Sequence, residues 1–351
     1  MPYLLKYSLK RIALALITAF IILTITFFLV KMLPDPAISG NTEAQVAFCR
    51  DQVSLGYYFQ SSVPLTGYGE TIIPPYMDPQ GNMFYFYREP LVKQYGVWLK
   101  GIFTQWSWGV SSIIQPETDA IVIIAERLKP TVLINVFALL LSVPLGFLFG
   151  IIAALNKNKP VDHVISTLVM VFISVPSFVI ISLLILIFGY NLHALPMMWP
   201  SSENPTIAQY ASAMIIPVLS LMFGTIATFT RYTRAELCEV MSSEFLLLAR
   251  TKGLNKRQCV TKHALRNSMV PLVPMIIGQF IGILSGSMVL ENIYTIPGIG
   301  SLFVTAINKR DYNVLMVDMT VFTIIGLLAN LLVDLSYGIV DPRIRMGAKA
   351  A

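Results

Sequence analysis

Long uncharged apolar runs separated by short polar intervals dominate this chain. Crossing about 30 Å of hydrocarbon takes about 20 predominantly apolar residues in a helix. Residues 12–30 meet that length, and Lys6, Lys10 and Arg11 stand just before them. Five further runs are of similar reach: residues 131–155, 164–190, 210–230, 268–290 and 314–337. The first run is long for a cleavable leader and no clear small-residue cleavage site follows, so it reads as a retained span. Residues 119–129 carry Ile121, Val122, Ile124, Ala125 and Leu128 at helical spacing and end at Lys129-Pro130. That pattern predicts an amphipathic interfacial helix leading into the second span.

Two intervals break the rhythm. Residues 31–117 are punctuated by prolines, among them Pro34, Pro36, Pro74, Pro75 and Pro90, and hold two aromatic clusters, Tyr57-Tyr58-Phe59 and Phe84-Tyr85-Phe86-Tyr87. So many rings predict a small packed region rather than a linker. The second interval, residues 231–267, is basic and helix-compatible, with Gly253 as its one clear break. Lysines and arginines collect in cytoplasmic loops. Lys157 and Lys159 against the nearly uncharged residues 191–208 put both termini and residues 231–267 inside. The resulting division is an N-terminal transmembrane helix (1–33), an extracytoplasmic region (34–117), a five-helix core (118–340) containing the cytoplasmic segment 231–267, and a cytoplasmic tail (341–351).

Composition narrows the chemistry. The chain is 55% hydrophobic and 13% charged, too apolar for an ordinary soluble domain. A net charge of +6 follows from loop lysines and arginines without any nucleic acid. Cys49, Cys238, Cys259 and the histidines 163, 193 and 263 lack metal-ligand spacing, so neither a metal nor a disulfide from Cys49 is expected. There is no phosphate-binding Gly-x-x-x-x-Gly-Lys-[Ser/Thr] loop, which predicts no catalysis or nucleotide site here. Charges inside spans are suspects for function by default. Asp318 and Asp334 are such charges, and Asn330 lies one turn before Asp334. Hydrogen bonding to neighbouring helices or to the basic tail is the expected role of Asp334, and proton coupling the alternative.

Four separated stretches resemble one family. Residues 244–254 run Glu244-Phe245, three leucines, then Ala249-Arg250-Thr251-Lys252-Gly253-Leu254. This is similar to the cytoplasmic loop signature of bacterial binding-protein-dependent ABC permeases of the oligopeptide/dipeptide/nickel branch, with Thr251 where Ala is usual. Glu291…Ile296-Pro297-Gly298-Ile299-Gly300, followed by Arg310-Asp311, resembles the branch's second motif, and Asp341-Pro342-Arg343 its C-terminal one. Gln94-Tyr95…Trp98-Leu99…Trp108-Gly109-Val110-Ser111 resembles a fourth stretch, with Ser107-Trp108 in place of Asp-Leu.

The resemblance implies an all-α integral membrane protein with six transmembrane helices, a MetI-like type I ABC importer permease core, and an extracytoplasmic insertion after helix 1. It implies transport of peptides with a second homologous permease subunit, two ABC ATPase subunits holding ATP and Mg, and a solute-binding protein. This chain would carry no cofactor. ATPase coupling would rest on Glu244, Phe245, Ala249, Arg250, Lys252, Gly253, Leu254 and Arg266. Glu291, Pro297, Gly298, Gly300, Asp311, Asp334, Asp341, Pro342 and Arg343 are motif residues without an assigned role, and no pathway residue can be named. Nickel or another small solute is the alternative cargo. An ion-coupled carrier or a membrane scaffold is the alternative class.

Overall fold

The computed structural model describes residues 2–33, 42–201, 205–282 and 287–340. Asp341, Pro342 and Arg343 lie outside the described residues. In chain order the elements are α1 (Pro2–Lys31), α2 (Thr42–Ser54), β1 (Tyr58–Ser61), β2 (Tyr76–Met77), β3 (Met83–Arg88), α3 (Leu91–Gln105), α4 (Ala120–Leu155), α5 (Pro160–Ser174) and α6 (Ser177–Leu184), which widens into a π-helical turn (Ile185–Asn191). There follow α7 (Ile207–Met241), α8 (Glu244–Thr251), α9 (Lys256–Cys259) with a second π-helical turn (Val260–Ala264), α10 (Leu265–Gly282), α11 (Met288–Ile293), α12 (Ile299–Lys309) and α13 (Tyr312–Val340).

Among the described residues, four helices are long and apolar enough to cross a membrane: Ser8–Lys31, Ala120–Leu155, Ile207–Met241 and Tyr312–Ser336. The expected third span, residues 164–190, is not one straight helix. α5 and α6 meet at 97° and make a fifth span only if counted together. Pro176 explains the break. It has no N–H to give the carbonyl one turn earlier, and its ring drives the preceding residue out of the helical region. Val175 accordingly sits at φ −90° and ψ 117°. The expected fifth span begins as α10 and reaches residues 283–286, which lie outside the described residues.

Pro130 does not act the same way. The expected interfacial helix and second span are one 36-residue helix, α4, with Pro130 and Pro144 inside it. No glycine or turn residue adjoins Pro130, so one lost hydrogen bond leaves the helix continuous. α7 likewise extends its span through Arg231, Arg234 and Glu239. A capping box starts it, with Thr206 Oγ1 accepting from the Gln209 N–H at 3.3 Å and Gln209 Oε1 accepting from the Thr206 N–H at 2.9 Å.

The chain forms two units, one of residues 1–19, 126–304 and 321–351, the other of residues 20–125 and 305–320. In the first, α4 and α7 approach closely at Gly146 and Gly150. A Cβ there would come within 2.5 Å of the Cβ atoms of Phe229 and Thr233. Such small-residue packing replaces the missing hydrophobic drive between helices in lipid. α5 packs on α7 through stacked Phe172 and Phe223 rings 4.8 Å apart. Asp162, buried at the start of α5, accepts from Arg234 Nε at 2.5 Å and Nη2 at 2.7 Å. That bidentate pair joins α5 to α7.

The second unit contains a three-stranded antiparallel sheet in the order β1-β3-β2, with Tyr58 opposite Arg88 and Tyr76 opposite Phe84. It is the only sheet among the described residues. Val46, Cys49, Tyr58, Ile73 and Phe86 form its core. The tight turn before β3 is made by Asp78, whose carboxylate accepts from the N–H groups of Gln80 and Asn82. Backbone and side-chain donors of Asn82 hold that carboxyl below its usual range.

Candidate functional site

Residues 244–266, where the resemblance places ATPase coupling, form a helix, a glycine turn and a second helix. Glu244 sits in the first turn of α8, where negative charge suits the helix dipole. Leu246 and Ala249, three residues apart, are buried. They join Leu237 of α7, Ala154 of α4, and Cys259 and Ala264 in one apolar cluster. The opposite side of α8 is open: Glu244, Phe245, Leu247, Leu248, Thr251 and Lys252 are exposed. Phe245, Leu247 and Leu248 show 42%, 64% and 57% of their surface. Three large apolar side chains bared beside charges make an adhesive face.

The turn is built from identifiable parts. Gly253 has φ +88°, a left-handed value that suits glycine. The Leu254 N–H reaches back to the Ala249 carbonyl at 3.4 Å, and both side chains belong to the same apolar cluster. This is a Schellman-type helix end with its hydrophobic contact. Asn255 starts α9 with a reciprocal cap: its Oδ1 accepts from the Gln258 N–H at 2.8 Å and its N–H donates to Gln258 Oε1 at 3.1 Å. Nothing lies within 4 Å of where a Gly253 Cβ would be. The glycine therefore serves the turn and not a close approach within this chain. Arg250 lies within α8, and Arg266 is exposed at the start of α10.

The second motif assembles around Glu291, which is buried. Its carboxylate accepts from Thr131 Oγ1 at 2.8 Å and from the Ser301 N–H at 2.9 Å. Thr131 Oγ1 in turn accepts from the Ile299 N–H at 3.1 Å. The Pro297-Gly298-Ile299-Gly300 turn thus wraps a carboxylate. A Cβ on Gly298 would collide with the Glu291 carboxyl and with Thr131 Oγ1. Beside it, Tyr294 is fully buried and donates to the Pro196 carbonyl at 2.7 Å.

Asp311 gathers the third set. Fully buried, it accepts from Ser111 Oγ at 2.6 Å and from the N–H groups of Ile113 and Ile114 at 3.0 Å each. Asn313 Nδ2 donates to the Val110 carbonyl at 2.8 Å. Two stretches that are far apart in the sequence, 108–111 and 310–311, are therefore one structure. Asp334 pairs with Arg11 of α1 at 3.0 Å, both side chains being partly exposed, while Asn330 is exposed. Thr131, Asn313, Asp162 and Arg234 carry these networks, and the sequence alone does not mark them as partners. Nothing local could, because each bond spans 72 to 203 positions.

The family model described as "Binding-protein-dependent transport system inner membrane component" matches residues 146–346. The chain belongs to that family. The permease is 35% identical over 341 residues to the dipeptide transport system permease protein DppB of Lactococcus lactis subsp. cremoris (strain MG1363), covering 97% of this chain and 99% of that protein. It is 31% identical to DppB of Bacillus subtilis (strain 168) over 98% of this chain and 99% of that protein. Against the oligopeptide transport system permease protein OppB of Escherichia coli (strain K12) the identity is 32%, over 97% and 100%. A solved chain of the inward-facing MetNI methionine ABC transporter superposes with TM-score 0.50 at 15% identity, covering 63% of the permease and 97% of that chain. The permease is a multi-pass membrane protein with the mostly helical fold of type I ABC importer permeases.

Proposed function

We propose that the permease forms half of a path through which dipeptides or oligopeptides are imported, the other half being a second homologous permease. Two separate ATPase subunits, which would hold the ATP and Mg, drive the pair, one of them seated on α8, and a solute-binding protein delivers cargo from outside. Both termini and residues 231–267 lie on the cytoplasmic side in this reading, and the chain performs no hydrolysis of its own. The observation that carries it is the two-sided build of α8. Leu246 and Ala249 anchor one face to α4 and α7, while Phe245, Leu247 and Leu248 stand bare on the other. A push on the bare face is thereby delivered to two long helices. The near-full-length likeness to DppB and OppB supports the peptide cargo.

The test is co-purification and proteoliposome uptake with the double variant Phe245→Ser/Leu248→Ser. Both side chains are exposed, so membrane insertion should persist, while recovery of the ATPase subunits and peptide uptake fall together. Undiminished ATPase recovery would overturn the docking assignment. Uptake by this chain without any ATPase would favour the carrier reading instead.

A further inference from the structure

The break between α5 and α6 opens a cleft of about 300 Å³ in the first unit, against α7 and α10. That size lies at the lower end of small-molecule sites, about 300–1,000 Å³. Its walls are unusual for an apolar bundle because they are rich in acceptors. Phe172 lines the cleft, and its carbonyl has no helical N–H to accept, because the residue four places on is Pro176. Thr225 and Thr228 also line it, and each spends its hydroxyl proton inside α7, on the carbonyls of Leu221 and Gly224 at 2.9 Å. What they turn outward is lone pairs. Gln279 of α10 completes the wall, its half-buried carboxamide offering both a donor and an acceptor.

The lining narrows the visitor. Among the described residues it contains no carboxylate, imidazole or thiol, the donors a transition-metal ion needs. Acyl chains cannot repay carbonyl and hydroxyl acceptors. A peptide main chain can, since it brings an N–H at nearly every residue whatever the side chains are, and Gln279 can both donate to and accept from it. A second cavity of about 570 Å³ shares Ile173 with the cleft and extends along α5 and α7 to Arg231. We infer that the α5–α6 break is a transit site that holds the main chain of a passing peptide through Gln279 and the acceptors around Pro176. This rests on the peptide-import reading above and assigns that path its contacts.

The experiment uses the complete transporter in proteoliposomes with saturating loaded binding protein, and a tripeptide beside its N-methylated backbone analogue. The wild-type complex should carry the N-methylated peptide several-fold more slowly. Gln279→Leu should lower uptake of the plain tripeptide by about tenfold, the scale of one lost hydrogen bond, and narrow its advantage over the analogue. Gln279→Asn should recover part of the rate. Recovery of the ATPase subunits with each variant checks folding. In parallel, Thr228→Cys should react with a membrane-impermeant thiol reagent and be protected by the tripeptide. Equal uptake by wild type and Gln279→Leu, or reaction of the new thiol only with lipid-soluble reagents, overturns the inference while peptide import stands. No peptide uptake by the wild-type complex overturns import itself, and the transit site with it.

Discussion

Gly253 shows how one residue can be given two meanings by sequence and one by geometry. As a break in a basic run it served either a turn or a close approach. Its φ of +88° and the empty space around its missing Cβ decide for the turn. Gly253→Ala should therefore strain the backbone by about 1 kcal/mol without any collision. Gly253→Asn should recover much of the loss, because asparagine tolerates the left-handed region. The check is coupled ATP hydrolysis by the assembled complex, which should fall with alanine and return in part with asparagine. Equal loss with both would mean that a partner needs the bare backbone itself. Glu291 is the opposite case: its motif was readable, yet its role was not, since Thr131 lies 160 positions away.

At the scale of elements, what could be read was length and apolarity; what could not was the choice among local alternatives. Pro130, Pro144 and Pro176 look alike in a string, and only Pro176 breaks its helix. The short strands β1 and β2, of four and two residues, are too brief for alternation to register. In α8 the leucines 246, 247 and 248 are chemically identical, but only Leu246 is buried. Leu246→Ala should cost about 2–5 kcal/mol of local stability, whereas Leu247→Ala should stay within about 0.5 kcal/mol. Amide hydrogen exchange across residues 244–254 measures both, and equal protection in the two variants would contradict the one-sided seat.

For the molecule as a whole, six apolar runs and a loop-rich interval were plain from the pattern of residues. Four long helices and one bent pair follow that pattern among the described residues, while α10 runs into residues outside that set. Long-range polar joints were invisible because a buried carboxylate looks in sequence like any loop acid. The Asp311 joint also sets an order of events during synthesis. Its partner Ser111 leaves the ribosome 200 residues earlier, which at about 5–20 residues per second is a wait of about 10–40 s. Until then the amides of Ile113 and Ile114 have no carboxylate to receive them. A chain released just before residue 311 should be cut within residues 107–117 by added protease, and the full chain should resist. The nascent protein therefore spends most of its birth with this loop unfastened, and closes it only as the last long helix emerges.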